Sequence, residues 1–152
     1  MPGAGFYAIQ NSTIRFGCDG RWYADDQPIT NQRIAELFSR HVHRAPNGTY
    51  LLRIADEQAP IIVDDTPYVV VATSADDTGA LWIDLNDGTR ERLDARTVAV
   101  GEHDVLYCRV KEGTEAARFL RPAYYQLAQH ITRDGDGFII HLGQDHYPIG
   151  RR

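Results

Sequence analysis

The hydrophobic pattern is most regular between Gly48 and Tyr68. Two apolar runs, Tyr50–Ile54 and Pro60–Val63, flank a polar turn and are closed by Asp64-Asp65-Thr66-Pro67. Short apolar runs bounded by turn residues predict a hairpin. The same succession returns near the C-terminus and aligns without a gap from Tyr50/Phe138 to Ile61/Ile149: aromatic, two aliphatics, Arg53 or His141, an aliphatic, a polar turn, then Pro-Ile. A helical pattern precedes each copy. Ile34, Leu37, Phe38 and Val42 fall on one helical face, which predicts a helix from an N-cap at Thr30 to about Arg44. Ala45-Pro46-Asn47-Gly48 stops it, because proline cannot continue the hydrogen-bond ladder. Tyr124, Leu127, Ala128 and Ile131 define a second helix, from Pro122 at its first turn to about Thr132.

Between and before these copies the pattern is that of strands. Ser12–Phe16 alternates, meets the Asp19-Gly20 turn and continues through Trp22-Tyr23 to Pro28-Ile29, a small hairpin or meander. Tyr68–Ser74 reads as a strand whose Val-rich start, Tyr68–Val71, is apolar on both parities and predicts a central position covered on both faces. Ala80–Leu85 turns Leu81, Ile83 and Leu85 inward, against Trp82 and Asp84, and Val105–Lys111 is a further strand. Residues 90–100 carry no single period, and residues 1–11 read as a loose lead-in. The expected fold class is α+β, antiparallel strands and hairpins with two helices, built from two related helix–turn–hairpin motifs. Residues 12–152 form a single domain in this reading: repeat one at about 19–68, bridging strands at 69–111, repeat two at about 119–150.

Composition narrows the partners more than the fold. With 152 residues, 43% hydrophobic and 24% charged, the chain can bury a core without disulfide or metal. A net charge of -5 and the lack of a clustered Lys/Arg face argue against nucleic acid. No run approaches the ~20 apolar residues of a membrane span. Cys18 and Cys108 make neither a disulfide framework nor a zinc knuckle, and no leader pattern is present, so the expected location is the cytoplasm.

Several segments carry a family resemblance: DGRWYADDQPI at 19–29, LF at 37–38, NGTYLLRIADEQAPIIVDDTPY at 47–68 and RPAYYQLAQ at 121–129. Over about residues 12–150 the chain resembles the bacterial family known as domain of unknown function 1285. The resemblance rests on D-G-x-W-Y…P-I and V-[DE]-D-x-P-[FY] taken together. It implies a fold of repeated structural motifs and a role in ligand sensing or signalling, with no established activity. The chain departs from the family pattern at Thr30-Asn31, where an Arg is usual, and at Ile54-Ala55-Asp56-Glu57, where Thr-Pro-Val-Glu is usual.

The sharpest chemical feature is Asp64-Asp65 with Glu57 on the facing turn. Clustered carboxylates bind divalent cations or cationic ligands, or supply general acid and base; Asp before Thr-Pro also satisfies its own turn. The C-terminal copy has no counterpart to Asp64–Tyr68, so this turn breaks the pseudo-symmetry. Trp22 and Tyr68 join it as aromatic candidates. Of the six histidines, His141 and His146 would face each other across a Gly143-Gln144 turn, but their counterparts Arg53 and Gln58 do not make a metal pair. Cys108 lies mid-strand as packing, and no nucleophile elbow or phosphate loop is present.

These residues point to a non-enzymatic module that binds a small ligand or a protein partner, with candidate contacts Trp22, Glu57, Asp64, Asp65 and Tyr68 and no cofactor or bound metal. Two alternatives use the same residues differently. One is a metal-assisted hydrolase built on the clustered carboxylates. The other is a structural homodimer formed through an exposed strand edge such as Ala80–Leu85.

Overall fold

The computed structural model describes residues 12–152, so the expected lead-in at 1–11 lies outside the described residues. Two units divide the chain, one ending at Pro67 and one spanning Tyr68–Arg152. The first contains β1 (Ile14–Phe16), β2 (Trp22–Ala24), β3 (Gln27–Pro28), α1 (Gln32–Arg40), β4 (Val42–Arg44), β5 (Tyr50–Ile54) and β6 (Glu57–Val63). Their sheet runs β3-β2-β1-β6-β5-β4. Its central pair, β1 and β6, is parallel. The core beneath it is Ile14, Phe16, Trp22, Phe38, Leu52, Ala59 and Ile61.

Helix α1 is shorter than its sequence predicts at both ends. Asn31, not Thr30, is the N-cap, its side-chain oxygen accepting from the amides of Arg33 and Ile34. At the other end His41 Nδ1 bonds the Leu37 carbonyl at 2.8 Å, and the chain leaves the helix. Val42–Arg44 then pairs with Tyr50–Leu52 as a third strand. Val42 satisfies a helical and a strand period equally, and its β-branched side chain together with the available edge of β5 favours the strand. Leu37, expected on the buried stripe, is 39% exposed.

The second unit contains β7 (Tyr68–Ala75), β8 (Leu81–Leu85), β9 (Arg90–Arg92), β10 (Ala99–Val100), β11 (Leu106–Val110), β12 (Glu115–Phe119), α2 (Arg121–Ala128), β13 (Ile131–Asp134), β14 (Gly137–Leu142), β15 (Asp145–Pro148) and β16 (Gly150–Arg151). One sheet runs β16-β10-β11-β12-β7-β8-β9, and β13-β14-β15 form a second. Strand β7 is central, between β12 and β8, and Val69 and Val70 are both buried, but Val71 is 38% exposed, so the expected cover on both faces does not extend along the run. Leu81, Ile83 and Leu85 point into the core. Residues 90–100 resolve into β9, a short 3-10 turn at Ala95–Thr97 and β10. Helix α2 ends at Ala128 rather than Thr132, again because the next residues form a strand, β13.

The fold is thus α+β, mostly strand with two helices, but its sheets are mixed rather than wholly antiparallel. Besides β1–β6, the pairs β7–β12 and β10–β16 are parallel. Each such pair is separated by a long crossover, and the two in the repeats include a helix, as parallel neighbours require. Strand β8 is hydrogen-bonded on both sides, by β7 and β9, so Ala80–Leu85 offers no free edge.

The two helix–hairpin copies belong to a longer duplication. In the first unit β1-β2-β3-α1-β4-β5-β6 ends with β6 returning parallel to β1. In the second, β10-β11-β12-α2-β13-β14-β15 ends with β16 returning parallel to β10. Register agrees residue by residue. Phe16 faces Trp22 and Arg15 faces Tyr23; Val100 faces Leu106 and Ala99 faces Tyr107. Gly17 N donates to Arg21 O, and Gly101 N to Val105 O, both at 2.8 Å. Arg53 pairs with Gln58 as His141 pairs with His146. After the helices, His41 N bonds Phe38 O and His130 N bonds Leu127 O, which makes Phe38 and Leu127 equivalent.

Candidate functional site

The acidic residues near the end of the first unit do not converge. Strand β6 is extended from Glu57 to Val63, so Glu57 and Asp64 stand at opposite ends of it, about 20 Å apart at the rise of a strand. Asp64 instead accepts from Arg15 Nη1 at 2.6 Å. Arg15 is also 3.8 Å from Asp26 and lies 4.3 Å over the Tyr23 ring. The hydrogen bond to Asp64 holds the Arg15 guanidinium above its usual range, and its exposure to solvent makes this a surface ion-pair network. Trp22 is 1% exposed: its indole N–H donates to Ser39 Oγ at 2.9 Å, and its ring packs on Phe16 and Phe38 at 4.8 and 5.5 Å.

Tyr68 opens β7 in the second unit, where its ring lies 5.0 Å below Lys111 Nζ. That ammonium donates to the buried Asp87 at 2.6 Å and to Thr89 Oγ1 at 3.1 Å. Burial pushes the Asp87 carboxyl up, but hydrogen bonds from Lys111 and Thr89 outweigh it and leave the group below the usual carboxylate range. His141 and His146 do face each other across their hairpin, with ring centroids 4.6 Å apart, and His141 Nε2 is 2.6 Å from Thr132 Oγ1. Among the described residues no group of three His, Cys, Asp or Glu is placed to hold a metal. Cys108 is buried in the core, which pushes its thiol pKa up and leaves it unreactive.

A cavity of about 460 Å³ lies within the second unit instead. Its apolar wall comes from Val100 and Leu106 on β10 and β11, Tyr124 and Ala128 on α2, and Ile131 and Phe138 on β13 and β14. Asp104, Arg133, Asp136 and Arg151 bring two carboxylates and two guanidiniums to the same lining. Phe138 is 46% exposed, an aromatic face open to a ligand.

The duplication explains why this space is open. Register makes Phe16 and Trp22 the counterparts of Val100 and Leu106, and the helix-end bonds make Ser39 the counterpart of Ala128. In the first unit Phe16 and Trp22 fill the space between sheet and helix, and Trp22 is anchored on Ser39. In the second unit valine, leucine and alanine occupy those places. Removing an indole and a phenyl ring leaves a void unless the walls collapse, and here they do not.

No family model matches the chain, and no curated protein matches it. Two solved structures do. One is a DUF1285 family protein from Silicibacter pomeroyi, 21% identical, with a TM-score of 0.73 over 92% of this chain and 80% of that one. The other is a DUF1285 family protein from Shewanella baltica, 19% identical, with a TM-score of 0.62 over 78% of this chain and 91% of that one. The chain shares the DUF1285 fold. The resemblance drawn from D-G-x-W-Y and V-D-D-T-P-Y is therefore matched in three dimensions over most of the chain. Of the cavity residues in this DUF1285-like fold, sequence analysis named Tyr124, Ala128 and Ile131, as a helix stripe, and Phe138, as part of the repeat. It missed Val100, Asp104 and Arg151. The signal available for them was a faint second repeat, Phe-Gly-x4-Trp-Tyr against Val-Gly-x4-Leu-Tyr.

Proposed function

We propose that the protein is a non-enzymatic module that binds a small molecule in the cavity of its second unit, the kind of site a sensory domain uses. The observation that carries this reading is the contrast between the units: one space filled by Trp22 and Phe16, its counterpart open, with apolar walls and charged groups. Small-ligand sites commonly have about 300–1,000 Å³, mostly apolar lining and a few polar groups that orient the ligand. Among the described residues, the lining is apolar side chains with Tyr124, two carboxylates and two guanidiniums, a set suited to orienting a ligand. Asp64, held by Arg15, has a structural assignment in this reading.

The test is a thermal-shift screen of a metabolite library on the wild-type protein and on a Leu106→Trp/Ala128→Ser variant that transplants the Trp22–Ser39 pair. A ligand that favours the native state raises the melting temperature by mass action. The expected result is a rise of several degrees with one chemical class, lost in the variant, whose own melt without ligand is cooperative. A rise that survives in the variant, or none across the library, contradicts the reading.

A further inference from the structure

The charged lining deepens that reading, on which this inference rests. Among the described residues, Asp104, Asp136 and Arg151 make no side-chain hydrogen bond or ion pair, and Arg133 makes only the bond from its Nε to Gly135 O at 3.1 Å. Charges of both signs thus line one cavity without pairing with each other. Two of them have no charged counterpart in the filled unit: Asp104 stands where the first has Gly20, and Arg151 where it has Val63.

Asp104 also takes the left-handed backbone of its glycine counterpart. Gly20 adopts φ +79 at no steric cost, whereas Asp104 holds φ +61 next to His103 at φ +60. Aspartate enters the left-handed region more readily than most residues, and Asp25, Asp26, Lys111 and Glu112 do so in other turns of this fold, so the conformation marks a tight turn. The turn places Asp104 on the cavity wall.

We propose that the ligand is a small zwitterion with an apolar body, of the chemistry and size of a hydrophobic α-amino acid. The carboxylate is received by Arg133 and Arg151, the ammonium by Asp104 and Asp136, and the side chain by Tyr124, Phe138 and their aliphatic neighbours. Arginine suits the first role because its planar fork matches a carboxylate.

The experiment is calorimetric titration with L-phenylalanine and L-leucine, set against 3-phenylpropionate, which lacks the amine, and phenethylamine, which lacks the carboxylate. The expected result is binding of the amino acids and affinity lower by about tenfold or more for each single-charge analogue, since each forgoes one set of charge-assisted hydrogen bonds. Asp104→Gly is expected to melt at a higher temperature than wild type while binding L-phenylalanine about tenfold more weakly; Arg151→Met weakens binding without raising the melt. Equal affinity for the analogues, or unchanged affinity in both variants, overturns the zwitterion. So does failure of both amino acids while another library compound raises the melt of the wild type but not of the filled variant, and in that case the cavity reading stands. If no compound in the library binds, both fail.

Discussion

Ala55 is the clearest single residue on which the duplication makes a demand. It has φ +54 in the β5–β6 turn, where the second unit has Gly143 at φ +60. A left-handed alanine costs ~1–2 kcal/mol that glycine avoids, less the extra chain entropy of glycine. Ala55→Gly is therefore expected to raise stability by about 1 kcal/mol, read as a shift of the urea midpoint. Asp64 and Asp87 divide in the opposite way from their prominence in the sequence. The Arg15–Asp64 pair is open to solvent, so Asp64→Ala should cost under about 1 kcal/mol. Asp87→Ala removes the partner of Lys111 from a largely buried pair and should cost about 3 kcal/mol. In both Asp87 and Asp76, the latter accepting from the Thr78 hydroxyl and the Trp82 indole N–H, the folded-state pKa is depressed, so their contribution is present above the unfolded value of about 4 and is lost as pH falls through the lower folded values. A melting temperature that is flat near neutrality and falls below about pH 4, less steeply in Asp87→Asn, is the expected profile.

At the scale of elements, hairpins were legible and their surroundings were not. Tyr50–Ile61 and Phe138–Ile149 share size and polarity at position after position, because both fill the same half-buried strand pair. Helix ends were misread by several residues, since Val42 and Ile131 fit a helical face and a strand equally well and only the waiting edges of β5 and β14 decide. Two of the parallel pairs, β1–β6 and β10–β16, had no local signal, because β1, β10 and β16 are two or three residues long. Trp22 was a candidate ligand contact in the sequence, where nothing local shows which partner covers it; its burial comes from Phe38 and Ser39 on a helix that follows in the chain. Trp22→Ala is expected to cost about 3–5 kcal/mol, the range for emptying a buried aromatic site. Denaturant unfolding checks this, and a loss below 1 kcal/mol contradicts the packed role assigned to the indole.

For the molecule as a whole, the family likeness and the α+β class could be reached from sequence, while the cavity could not. It is a difference between equivalent positions, Phe16 against Val100 and Trp22 against Leu106. Those equivalences become visible only when strand register is known, because the paired segments share little beyond a glycine and a tyrosine. The acidic turn drew attention because it lacks a counterpart in the second copy. The structure gives Asp64 an ion-pair partner, and it shows the greater asymmetry in what each copy encloses. The most direct measurement is amide hydrogen exchange with and without the compound that gives the largest thermal shift. Slower exchange confined to about residues 99–106, 124–138 and 149–151 is the predicted result. Protection centred on residues 57–68 instead would return the site to the acidic turn and contradict the account.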